Sequence, residues 1–179
     1  IGARITNYLL EKPRLVKQAA TERNYHIFYQ IFHDKHLTRK LKLKSARDYR
    51  LITQSGCLTV KGIDDKFDFE VVTQAMKEEF RFPENTRDSI FSIIAAILHL
   101  GNVAFEDDDL GTGYAQISTT DESKAGLTTA AELLKVNDLL LGKNLLIQEL
   151  NIRGDKTAKQ LDAYAASKLR DSLIKAIYG

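Results

Sequence analysis

The chain has few of the residues from which covalent or metal chemistry is built. A single cysteine, Cys57, stands among 179 residues, which excludes an internal disulfide framework and any multi-cysteine zinc site. That usage fits a reduced intracellular chain, and the expected location is the cytoplasm. Only two prolines, Pro13 and Pro83, break the backbone. Charge of one sign is also scarce: the formal net charge is +2, so an electrostatic partner must be served by local patches, and bulk charge gives nucleic-acid binding no support. The longest apolar run, Ile93 to Leu98, falls far short of the roughly 20 residues of a membrane helix. The first residues lack a charged-then-apolar leader pattern, and no membrane association is expected.

What is present is enough apolar material for one core. With 44% hydrophobic and 28% charged residues, the chain reads as a single, mainly α domain or subdomain with a few short strands. Ala3 to Leu10 is rich in β-compatible residues, and it opens the chain as a strand with few partners to pair with. Tyr25, Phe28, Tyr29 and Phe32 repeat at the spacing of one helix face and predict a helix from Thr21 to Phe32. His33 to Ser45 interleaves five Lys or Arg residues with Leu37, Leu41 and Leu43, and reads as a solvated basic face over a leucine-anchored helix or loop. Tyr49 to Gly62 is expected to be irregular, with short extended pieces. Asp68 is placed to cap a helix that ends near Pro83, and Asn85 or Thr86 to cap the next, which runs to Gly101. That second helix is apolar around most of its circumference and should be the centre of the core, with His99 partly buried and hydrogen-bonded at its end. Beyond it come an acidic loop, Glu106 to Gly113, and a short strand, Tyr114 to Ser118. A helix capped by Asp121 follows, then one over Leu139 to Leu146, a hairpin over Ile147 to Thr157, and a last amphipathic helix from Leu161.

No catalytic constellation emerges. The only Gly-Lys pair, Gly142-Lys143, is followed by Asn144, and Asn137 takes the place of the first glycine of a phosphate loop. The four histidines form no HExxH, and no GxSxG elbow exists. Consecutive Asp107, Asp108 and Asp109 cannot all converge on one cation as alternating loop ligands do.

Several ordered segments nevertheless point in one direction. YLLEKPRLV (Tyr8 to Val16), ERNYHIFYQ (Glu22 to Gln30), GIDD (Gly62 to Asp65), AAILHLGN (Ala95 to Asn102) and RDSLIKAIY (Arg170 to Tyr178) resemble segments of the myosin motor domain, in the family's order and approximate spacing. Pro13 stands where that family usually has serine.

The resemblance implies a fragment covering the upper fifty-kilodalton actin-binding subdomain. The phosphate loop, the switches and the relay helix of the ATP-driven motor would lie outside it, and Ala3 to Leu10 would be an edge of the central transducer sheet. ATP and Mg would then belong to the intact motor, with no cofactor in these residues, and this chain alone would be catalytically inactive. The implied partners are filamentous actin, in the cytoplasmic actin cytoskeleton, and the lower fifty-kilodalton subdomain and transducer of the same motor. The hairpin resembles the family's cardiomyopathy loop, which makes Arg153, Asp155, Lys156 and Lys159 the implied actin-binding residues. Asp155 lies sixteen residues before Asp171, where the family usually carries Thr, Glu, Asp or Ser. An aspartate there supplies a permanent negative charge in place of phosphorylation. The acidic loop aligns with a variable loop that can approach actin. The alternatives are a stand-alone helical interaction domain using the basic stretch Lys35 to Arg47, which lacks the interleaved aromatics of a nucleic-acid stacking platform, and a small enzyme whose site forms from distant polar residues.

Overall fold

The structure, a computed structural model, describes residues 10–108, 110–152 and 155–179, the side chains of 150–152, 155 and 156 excepted. The expected strand Ala3 to Leu10 lies outside these residues but for Leu10. Among them run α1 (Ile27–Gln30), α2 (Lys35–Lys40), α3 (Arg50–Thr53), α4 (Asp65–Glu78) and α5 (Glu84–Gly101), then strands β1 (Phe105–Asp107) and β2 (Ala115–Ile117). Helices α6 (Asp121–Leu134) and α7 (Asp138–Leu146), the hairpin β3 (Ile147–Ile152) and β4 (Asp155–Gln160), and α8 (Ala163–Tyr178) complete the order. The mainly helical class and the two small antiparallel ribbons agree with the sequence reading.

The apolar helix is the centre of the core, as its composition requires. Every residue of α5 from Ile94 to Gly101 is buried, so neighbours are needed on all sides. Helices α6, α8 and α3 supply them. Backbones approach closely where side chains are missing: a Cβ on Gly101 would lie 2.6 Å from Leu51 Cγ, and one on Gly126 of α6 would lie 2.8 Å from the His99 carbonyl oxygen.

The expected long helix from Thr21 is replaced by a much shorter one. Thr21 takes a left-handed φ of 69° and its amide donates to the Ser55 carbonyl at 3.1 Å. Buried Asn24 donates from Nδ2 to the carbonyls of Leu15 at 2.9 Å and Leu51 at 3.0 Å, and its Oδ1 accepts from the Tyr25 amide at 2.8 Å. These tertiary bonds hold the segment off the helical ladder, and α1 begins only at Ile27. The aromatic spacing still found the buried side, since Phe28 and Tyr29 are in the core.

Helix starts also moved. Asp64, rather than Asp68, caps α4, its Oδ1 accepting from the amides of Lys66 and Phe67 at 3.1 Å each; Asp68 lies inside the first turn, where its charge favours the helix N-terminus. Pro83 precedes α5 in place of Asn85 or Thr86: its ring fixes φ at −55° and its carbonyl accepts from Thr86 at 3.0 Å. Helix α4 ends at Glu78, several residues before the proline, as Arg81 turns into the left-handed region at φ 50°. Thr120, one residue before the expected Asp121, caps α6. Tyr49 to Gly62 holds α3 and no strand.

His99 is buried near the end of α5, with Nε2 3.2 Å from the Leu41 carbonyl, to which its ring N–H donates, and with the Tyr49 ring edge-on at 5.5 Å. Burial, assisted by Lys44 and Lys42 and opposed by the Leu41 bond, holds its pKa below the usual 6.5. The folded state therefore binds its proton more weakly than the unfolded chain does. The stability it contributes is present above the unfolded pKa and is lost as pH falls below about 6.5, levelling off once pH is under the folded value. The melting temperature should drop between pH 7 and 5, and His99→Gln should flatten part of that drop; an identical pH profile for the variant would assign the slope to other groups.

Candidate partner-binding hairpin and its supports

The hairpin is rooted in apolar and backbone contacts at its base. Helix α7, capped by Asn137 Oδ1 on the Leu140 amide at 2.8 Å, runs directly into β3. Strand β4 returns in register, with Ile147 opposite Gln160 and Ile152 opposite Asp155. Leu161, only 6% exposed, then closes the base: its amide donates to the Leu146 carbonyl at 3.0 Å, and its carbonyl accepts from the Ala115 amide of β2 at 2.7 Å. Asp162 caps α8 through the Ala165 amide at 2.7 Å. The two strands pair with each other and with no other described strand.

Of the residues singled out from sequence, Lys159 is exposed opposite Gln148. Asp155 and Lys156 are backbone-paired with Ile152 and Asn151. Arg153 and Gly154 lie outside the described residues. In the acidic segment, Asp108 folds onto its own turn, with Oδ1 accepting from the Thr112 amide at 3.0 Å and Oδ2 from the Thr112 hydroxyl; Asp109 lies outside the described residues.

A polar junction between α8, α3 and the end of α5 was not singled out from sequence. Asp171 Oδ1 on α8 accepts from Arg170 Nη2 at 2.8 Å and from Arg50 Nη2 at 3.1 Å. Arg170 also donates to the Val103 carbonyl, and Arg50 Nε to the Gly101 carbonyl at 2.8 Å. Burial pushes the Arg50 pKa down, and the neighbouring Arg170 adds to this, while Asp171 opposes it. One carboxylate thus holds two guanidinium groups against the end of α5. The adjacent Arg170-Asp171 pair was visible in the sequence as a motif, but nothing there indicated that Arg50, far away in the chain, would share it.

Two cations of the basic stretch are spent on the molecule itself. Lys40 pairs with Asp88 of α5 at 2.7 Å, and Lys42 pairs with Glu132 of α6. Leu37, Leu41 and Leu43 are buried beneath them, as the interleaved leucines predicted.

The Gly-Lys pair offers no phosphate cradle. Gly142 is buried in the middle of α7, where an added Cβ would meet Ile117 Cδ1 at 3.0 Å and Leu127 Cδ2 at 3.1 Å. Its amide belongs to the helix interior, whereas phosphate binding uses free amides at a loop or helix start. These residues therefore do not fit a nucleotide. Among the described residues no group of three or more His, Cys, Asp or Glu side chains is placed to hold a metal ion, and no helix is long and apolar enough to cross a membrane.

The family described as myosin head (motor domain) matches residues 1–179. The myosin-I heavy chain of Dictyostelium discoideum is 43% identical over 180 residues, covering 99% of this chain and 8% of that protein. Unconventional myosin-Ic of Aquarana catesbeiana is 38% identical over 182 residues, covering 100% of this chain and 17% of that protein, and unconventional myosin IC of Drosophila melanogaster is 40% identical over 181 residues, covering 99% and 17%. The chain belongs to the myosin head (motor domain) family. It spans from 8% to 17% of the length of these relatives.

Replacing Asp171 by Asn should leave Arg50 and Arg170 facing each other without a shared counter-charge. Because Arg170 is nearly buried and Arg50 half-exposed, the expected loss is on the order of 2 kcal/mol, between the values for exposed and buried pairs. Denaturant unfolding measures it, and a midpoint within error of the parent chain would remove the junction from the stability argument.

Proposed function

We propose that these residues form the upper fifty-kilodalton subdomain of an ATP-driven cytoskeletal motor, and that the β3–β4 hairpin is its contact with filamentous actin. Family membership along the whole chain supports the motor reading. The observation that carries the contact is the hairpin, whose strands pair only with each other among the described residues, whose base is locked by Leu161, and whose Lys159 is exposed. Arg153, Asp155, Lys156 and Lys159 are the proposed actin-facing residues. ATP and Mg are bound elsewhere in the intact motor, so this chain alone does not hydrolyse ATP. The lower subdomain and the transducer sheet are its intramolecular partners, and the working location is the actin cytoskeleton of the cytoplasm.

Physically, the cations of the hairpin act on encounter more than on affinity. Each exposed ion pair is worth about 0–1 kcal/mol, but a positive cluster facing an acidic filament raises the association rate at low salt. The reading as a stand-alone basic interaction domain is weakened by the pairing of Lys40 and Lys42 within the fold.

Co-sedimentation with filamentous actin across a salt series tests the contact. Binding should weaken as salt rises, and Arg153, Lys156 and Lys159 changed together to Gln should reduce affinity by roughly three- to thirtyfold at low salt. A variant that binds as the parent does at every salt concentration would remove the hairpin cations from the contact. Asp155 has its own test in the intact motor. If its fixed negative charge replaces phosphorylation, Asp155→Asn lowers actin-activated ATP turnover while basal turnover without actin is kept, and unchanged activation would sink that role.

A further inference from the structure

We propose that a cleft at the other end of the molecule from the hairpin in sequence, formed by α1, the turn before α3 and the loop after it, binds a small amphipathic anion. The ligand class is an aromatic or alicyclic body carrying one carboxylate, sulfonate or phosphate.

The cleft encloses about 500 Å³, inside the roughly 300–1,000 Å³ of small-molecule sites. Tyr29, Phe32 and Leu58 give it an apolar wall, and Lys44 and Arg47 stand at the same opening. These two cations differ from the rest of the basic stretch. Lys40 and Lys42 are neutralised by carboxylates of α5 and α6, whereas Lys44 and Arg47 enter no ion pair among the described residues. Both are exposed, so they are free to meet an incoming anion while the wall takes up its apolar body.

The one carboxylate lining this half of the cleft is already occupied. Asp65 accepts from Arg23 Nη2 at 2.7 Å, with the two side chains 13% and 6% exposed. The Arg23 guanidinium lies 3.8 Å from the centre of the Tyr29 ring. The pair is incompletely satisfied: Arg23 Nε and Nη1 and Asp65 Oδ1 are buried and have no hydrogen-bond partner among the described residues. Unmet donors and acceptors of buried charged groups cost stability. The Arg23 guanidinium offsets the charge of Asp65, so the carboxylate on the cleft wall repels an incoming anion less. An apolar wall and two cations that enter no ion pair among the described residues thus meet at one opening, where the one lining carboxylate is held by Arg23.

Photolabelling locates the site in the motor head that carries this chain. A diazirine-bearing benzoic acid, mapped by peptide mass spectrometry, should modify segments 29–33 and 44–59 saturably, and naphthalene-2-sulfonate should compete. Lys44→Ala with Arg47→Ala should cut labelling of those segments roughly tenfold, as expected for the loss of two charge-assisted contacts; both positions are exposed, so the melting temperature should hold. Leu58→Gln should weaken competition by naphthalene-2-sulfonate more than it weakens any effect of inorganic phosphate. Labelling that stays undiminished in the double variant, or maps only to other segments, overturns the site. Competition by inorganic phosphate as effective as that by naphthalene-2-sulfonate overturns the amphipathic class.

Discussion

Complete burial of the second half of α5 is the constraint on which the rest of the structure depends. A helix that shows no face to water from Ile94 to Gly101 ends inside the protein, and its last carbonyls still require donors. The molecule supplies them from backbone amides just past the helix and from two arginine side chains. The Asn102 amide turns back to the His99 carbonyl at 3.1 Å, Arg50 serves Gly101, and Arg170 serves Val103 just beyond. Bringing two arginines to one helix end creates a repulsion that Asp171 answers. The charged junction is thus a consequence of burying an apolar helix, and it fixes α8 relative to α3 and α5.

A similar trade operates around the first turns of the chain. Asn24 has no helix of its own to complete, so its side-chain amide bridges the carbonyl of Leu15 and that of Leu51 in α3. Leu51 is itself the residue that packs where Gly101 lacks a side chain. The loop containing Asn24 and the centre of the core therefore share a neighbour, which is why this part of the chain could not keep the regular helix that its aromatic spacing favoured. Buried carbonyls left without Asn24 would cost about 1–3 kcal/mol each, more than the few tenths per residue by which helix propensity argues for another turn.

Sequence reading worked where a single periodicity decided the outcome. Helix α5, α7, the short strand after the acidic loop and the β3–β4 hairpin all follow from local pattern and turn residues. It failed where distant groups compete for a backbone amide or carbonyl. Nothing adjacent to Thr21 reveals that Ser55 will take its amide, and nothing near Asp64 or Asp68 distinguishes which one the chain will present in extended conformation. Capping depends on where the preceding loop is held, and here that loop includes Gly62 at φ 90°. The candidate site divides in the same way. Hairpin and exposed Lys159 were legible; the role proposed for its residues rests on family resemblance, and the junction of Asp171 with Arg50 and Arg170 required two chain segments that only the fold brings together.

That division bears on how a hairpin of modest charge could serve the contact proposed for it. Exposed cations contribute little affinity individually, so useful binding needs a contact that is already in position before encounter and is reinforced by other surfaces. The root meets the first need. Leu161 bonds Leu146 on one side and Ala115 on the other, so the strands leave the body in a fixed register and direction without ordering a long loop at the moment of contact. The second need falls to surfaces beyond these residues, which accords with a chain that spans only 8% to 17% of its relatives. Under the proposed reading, a contact weak alone but seated on a hydrogen-bonded base suits a cycle of attachment and release, because it would gain strength when neighbouring surfaces align and lose it when they part.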